Sequence, residues 1–189
     1  TIPKGVRKVF AQNLYRSSNI FEPLPIGLEN LNLANNGFPA LYKESYALHE
    51  KKNRVLVGPL SPTHSERDAL LALDRGVSPS IEIVKGRLNP KEYAKLASEY
   101  AFIAAPRGNG LDTHRFWEAL YRGSSPVVIR SEWSKYWINL GLPVTEVDDW
   151  TVGSLDQVLA TEPVKKIHPR SLSPLWMPYW IEKFKSLCE

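Results

Sequence analysis

The sequence predicts an α/β fold, a mostly parallel sheet with helices on both faces. Three observations carry this expectation. Short strand-like runs alternate with helical patterns along the chain. Two of the runs, Arg54–Leu60 and Ala101–Ala105, are compact and apolar, as buried strands are. A glycine-rich turn, Arg107–Gly110, joins the second run to a helical pattern, as strand-to-helix connections of such sheets do.

Taken in order, Arg7–Gln12 reads as a first strand. Phe21–Gly27 is extended, but its two prolines make it a poor central strand. Asn30–Gly37 is a polar loop, and Pro39–Glu50 is compatible with a helix. The strand Arg54–Leu60 leads through a Ser-Pro-Thr-His loop into a helix over Ser65–Arg75. Ser80–Val84 is a short strand. Asn89 precedes Pro90, the favoured order of cap and first helical residue, and that helix runs to about Tyr100. After the strand Ala101–Ala105, a helix over Asp112–Arg122 stops at Gly123. Pro126–Ile129 is a strand, Glu132–Leu140 a helix, Pro143–Val147 a strand and Leu155–Ala160 a short helix. In the tail, Ser173–Leu187, apolar residues including Trp176, Met177, Trp180, Ile181 and Phe184 recur at helical spacing. Two readings of this tail stand: a helix packed on the domain, or a docking surface for a dimer or second domain through Trp176 and Trp180.

Length and composition exclude several classes. The 189 residues suit one α/β domain, or at most two small ones, with 43% apolar and 23% charged residues. A single cysteine, Cys188, rules out a disulfide framework within one chain and fits a reducing, cytoplasmic setting. No apolar run reaches membrane-spanning length, and the first residues do not read as a secretory signal. The formal charge of +4 is spread along the chain, so no nucleic-acid footprint is expected, while an anionic ligand is mildly favoured. The four histidines, His49, His64, His114 and His168, lack metal-site spacing, and neither a GxSxG elbow nor a Walker sequence is present.

The chemistry concentrates at Arg107–Glu118. In an open parallel sheet, ligands bind beyond the carboxyl ends of the strands. There Gly108 and Gly110 allow close backbone approach to an anion, and the following helix N-terminus offers unpaired amides. Arg107 adds a bidentate phosphate fork, and Asn109, Thr113, His114 and Arg115 add further donors. Glu118 lies about 9 Å along the helix from Asp112, where a carboxylate can accept ribose hydroxyls. The alternatives are structural. The glycines shape a tight turn, Asp112 caps the helix, and Glu118 pairs with Arg115 or Arg122. A second cluster, Ser61, Thr63, His64 and Arg67, follows Arg54–Leu60. It either borders the same crevice or serves as a cap with a surface pair. Asp148–Asp149 close a strand end.

The run PRGNGLDTHRFWEALYRGSSPVVI (106–129) resembles the donor-binding segment of exostosin-like, family 47-type, glycosyltransferases. LPIGLEN (24–30), the strand with THSER (55–67) and VDDW (147–150) follow the same family pattern in the same order, so the resemblance covers about residues 7–150. It implies a GT-B architecture, whose C-terminal Rossmann-like domain binds a UDP- or GDP-sugar without an obligatory metal or further cofactor. On this resemblance Arg107 meets the diphosphate, Glu118 the ribose, and Thr113, His114 and Arg115 the sugar-phosphate end, with Asn109, Gly110 and Arg67 nearby. The chain is short for two such domains. Residues 51–189 are therefore expected to form the nucleotide-sugar domain and residues 1–50 a remnant of the acceptor side. The enzymatic expectation is sugar transfer to a glycan or other hydroxyl acceptor, with Glu29, His64 and Asp112 as candidate bases. The rival expectations are a non-catalytic nucleotide- or carbohydrate-binding module and an interaction domain.

Overall fold

β-branched, aliphatic and aromatic residues concentrate in five short runs, and in the computed structural model these runs are the strands of one parallel sheet. The structure describes residues 2–33, 36–42, 50–74, 77–161 and 166–187. The strands are β3 (Lys52–Val57), β4 (Ile81–Ile83), β5 (Tyr100–Ala104), β6 (Ser125–Ile129) and β7 (Thr145–Val147), in spatial order β4-β3-β5-β6-β7. Every pairing is parallel. Their side chains alternate between two cores, as the period of two requires. Val55, Val57, Phe102, Ala104 and Val127 pack on one side with Leu70 of α1 (Ser65–Leu71) and Leu155 and Val158 of α5 (Val152–Thr161). On the other side Leu56 and Ile103 meet Tyr93 and Ala97 of α2 (Pro90–Ser98) and Ala119 of α3 (His114–Tyr121). Helices therefore cover both faces, and the fold is Rossmann-like α/β.

Local signals place the helix starts. Asn89 accepts from the Glu92 amide while the Glu92 carboxylate accepts from the Asn89 amide, both at 2.9 Å, and Pro90 is the first helical residue. The α3 helix begins two residues later than its pattern suggests. Thr113 stands at the cap position and makes no side-chain cap bond. Asp112, a candidate cap, turns inward instead.

The N-terminal strands depart from expectation. β1 (Val9–Ala11) does not join the main sheet. It pairs in parallel with β2 (Phe21–Pro23) in a separate two-stranded sheet, so the proline-containing run finds the edge position its missing amides demand. Leu31–Leu33 and Pro39–Tyr42 are short 3-10 turns. The remainder of the helix expected up to Glu50 falls on 43–49, outside the described residues, as do His49 and Cys188.

The tail is two 3-10 turns followed by α6 (Met177–Lys185). Trp180 is only 4% exposed. It joins Trp117, Trp133 and Trp137 of α3 and α4 (Glu132–Asn139) in an aromatic core, and its indole N–H donates to the Pro174 carbonyl. Trp176 is half-buried and donates to the Pro169 carbonyl. Of the two readings of the tail, a helix packed on the domain is the one realised for Trp180, while Trp176 is half-buried. Phe184 meets Phe10 of β1 edge-on at 4.7 Å, so α6 also carries the small sheet. No helix among the described residues is long and apolar enough to cross a membrane.

Candidate functional site

The strand order reverses direction between β3 and β5, and such a switch point opens a crevice beyond the strands' carboxyl ends. Two loops border it: Gly58–His64 after β3 and Ala105–Thr113 after β5. The distant segments singled out in the sequence converge here. Glu66, at the start of α1, accepts from the Arg107 amide at 3.3 Å and from the Trp150 indole at 2.9 Å. Asp112 accepts from the Ile26 amide at 2.7 Å, and His114 Nδ1 donates to the Gly27 carbonyl at 2.8 Å. THSER, the glycine turn, VDDW and LPIGLEN are therefore hydrogen-bonded into one cluster.

Three arginines face this region in different states. Arg67 donates to the Arg107 carbonyl (3.0 Å) and the Ser61 carbonyl (3.4 Å), bracing the two loops together. Burial, and then the neighbouring Arg115, lower its pKa. Arg115 donates to the carbonyls of Gly58 and Pro59 and stacks 4.4 Å above the Tyr93 ring. Arg107 differs. Its side chain makes no hydrogen bond or ion pair among the described residues, and its buried Nε has no partner. It lines a small cavity with Glu66, Leu111, Ser131 and Trp133. The α3 N-terminus beside it has no side-chain cap. Side chains cap α1, α2 and α4, whereas the Thr113 hydroxyl is buried without a partner.

The glycines answer to packing. A β-carbon at 108 would lie 2.9 Å from Arg67 Nη2, and one at 110 would fall on the Asn13 side-chain amide. Gly110 is half-buried and Asn109 is exposed at the loop tip. No sequence motif marks Asn13; the only hint is a turn-forming residue after a strand.

Glu118 lies deeper than a ribose contact needs. It is 3% exposed, and Oε2 stands 3.3 Å from Arg115 Nε. Arg122, fully buried, stacks on Tyr42 at 4.1 Å and approaches Tyr93 at 5.4 Å. The helical pairing with Arg115 is the arrangement realised.

The candidate bases are unequal. Both Asp112 oxygens are occupied, Oδ1 by the Trp117 indole at 2.6 Å and Oδ2 by the Ile26 amide. Burial pushes its pKa up to about 7, against the lowering effect of the Trp117 and Ile26 bonds. Glu29 accepts from the Asn36 amide at 2.9 Å. His64 caps α1 through Nδ1, which accepts from the Glu66 amide, leaving Nε2 for other chemistry. Asp148 pairs with Arg130, and Asp149 binds Thr151 and Ser154. No group of three or more metal-binding side chains occurs among the described residues. Comparison with models of known families and with curated proteins found no match.

Proposed function

We propose that this chain is the nucleotide-sugar-binding unit of a glycosyltransferase of exostosin-like type, with the donor diphosphate at the switch-point crevice. The supporting observation is the convergence of four sequence segments on that crevice beside a helix N-terminus without a side-chain cap and an arginine with no side-chain partner among the described residues. Arg107 and the first amides of α3 bind the diphosphate, and Arg67 and Arg115 hold the loops that frame it. In transfer, a base takes the acceptor hydroxyl proton and that oxygen attacks the anomeric carbon. The bond from that carbon to the diphosphate oxygen breaks, and the cationic crevice stabilises the departing anion. His64 Nε2 is the one candidate base not already spent on a structural bond. Contact of Glu118 with ribose requires its pair with Arg115 to open. Binding needs no metal in this reading, so EDTA leaves it unchanged.

A second reading, a binding module without transfer, is favoured by the occupation of Asp112 and Glu29. It shares the first test and differs in the second. UDP or GDP at 100 times Kd stabilises the folded chain by about 2.7 kcal/mol, or roughly 5–10 °C in Tm. Arg107→Ala weakens that binding by roughly 10- to 100-fold while leaving the ligand-free Tm nearly unchanged, since its side chain braces nothing. If neither nucleotide nor any of their sugars shifts Tm at millimolar concentration, both readings fail. Slow donor hydrolysis by the wild-type chain separates the enzyme from the module.

A further inference from the structure

We infer that Asn13 is a positioning residue of the crevice loop, making the N-terminal segment a working part of the site. Its reach across the fold is specific. Asn13 Oδ1 accepts from the Asp112 amide at 3.0 Å, 99 residues away. Its side-chain amide occupies the volume that a β-carbon at residue 110 would take. Among the described residues Asn13 is the one non-glycine with a positive φ, at 55°. That conformation is disfavoured for most side chains and tolerated by asparagine, and such outliers concentrate at working sites. Two further bonds join the same segment to the loop and to the first residue of α3, Ile26 N–H to Asp112 Oδ2 and His114 Nδ1–H to the Gly27 carbonyl. Those two use backbone atoms of the segment, whereas Asn13 reaches the loop with its side chain. Its bond ends on the residue immediately before Thr113, the N-cap position of α3, which has no side-chain cap bond. Asn13 thereby sets the path of residues 110–112 and the direction in which the first amides of α3 present themselves.

Three variants test this. Asn13→Gly removes the side chain and accepts the positive φ without strain, so it isolates the contact from the backbone. Asn13→Asp keeps an acceptor and a residue that tolerates this conformation. Gly110→Ala inserts the excluded β-carbon. In the ligand-free chain, hydrogen exchange of the Asp112 amide is expected to quicken at least tenfold in Asn13→Gly and to stay near wild type in Asn13→Asp. Gly110→Ala lowers Tm, and adding Asn13→Gly to it restores most of the loss, which a clash located elsewhere would not allow. UDP binding, the arm that rests on the function proposed above, weakens about tenfold in Asn13→Gly, whereas Tm of the ligand-free variant changes little. Unchanged Asp112 exchange in Asn13→Gly overturns the inference. So does a Gly110→Ala loss that Asn13→Gly fails to relieve, and so does faster exchange with unaltered UDP affinity, which would leave Asn13 a purely structural contact. If wild type itself ignores UDP, the functional reading falls, and the exchange and rescue results alone decide whether Asn13 positions the loop.

Discussion

Glu118→Ala is expected to destabilise the chain by about 3–5 kcal/mol, the cost of leaving a buried cation without its counter-charge. Glu118 is the one carboxylate paired with Arg115 among the described residues, and its backbone carbonyl accepts from the fully buried Arg122. Arg115 has its other nitrogens on the carbonyls of Gly58 and Pro59, and Arg122 has Nε and one terminal nitrogen without partners. Tyr93 cannot substitute as an anion, because burial pushes its hydroxyl up to about 12. The rings of Tyr42 and Tyr93 offer cation–π contact, which supports the guanidinium groups without neutralising them. Glu118→Gln keeps the shape and loses the charge, and is expected to fall between wild type and Glu118→Ala. Urea denaturation measures both, and a loss below about 1 kcal/mol for Glu118→Ala would show that solvent already compensates the pair. The same result governs how ligand data are read. A Glu118 variant that binds nucleotide poorly bears on ribose recognition only at a temperature where it is still folded.

The second large effect is a pH dependence centred on Asp112. The folded chain holds this proton more tightly than the unfolded chain, with a pKa of about 7 against the ordinary 3.8. Between those values the folded state binds more protons, so stability falls as pH rises. The contribution is complete below about pH 4 and is lost as pH climbs through about 7, a span worth up to about 4 kcal/mol for this 3% exposed group. Asp112→Asn removes the titration, yet its amide can accept from only one of the two donors, Ile26 N–H or Trp117 Nε1–H. Leaving the other unpaired costs about 1–3 kcal/mol. The variant is therefore expected to be less stable than wild type at pH 5 and to close most of that gap by pH 8. Denaturation midpoints of the two proteins across that range give the answer, and parallel curves would mean that Asp112 is already ionised in the fold at pH 5.

Much of the architecture was legible before any coordinates. The alternation of strands and helices, the Asn89–Pro90 start of α2 and the glycine turn after β5 are local signals, and each appears where the residues placed it. Arg107 and the segments around THSER, VDDW and LPIGLEN were also visible, because each carries its own composition. What escaped the sequence depends on contacts between distant residues. Nothing near Asp112 announces that Ile26 will occupy one of its oxygens, and nothing near Gly110 announces Asn13. The tryptophan pattern of the tail predicted a helix and left open which side would be covered; Trp137 and Pro174 decided that by enclosing Trp180.

By itself, then, the sequence determined the α/β class, most of the order of its elements and the glycine-rich turn between β5 and α3, since propensity, capping and turn geometry act over a few residues. Only the tertiary structure decided which of the charged residues there are free to act. Burial, and the choice among local alternatives, depend on packing that brings distant residues together. In the fold Glu118 pairs with Arg115, Asp112 is closed between the nearby Trp117 and the distant Ile26, and the Arg107 Nε has no partner among the described residues.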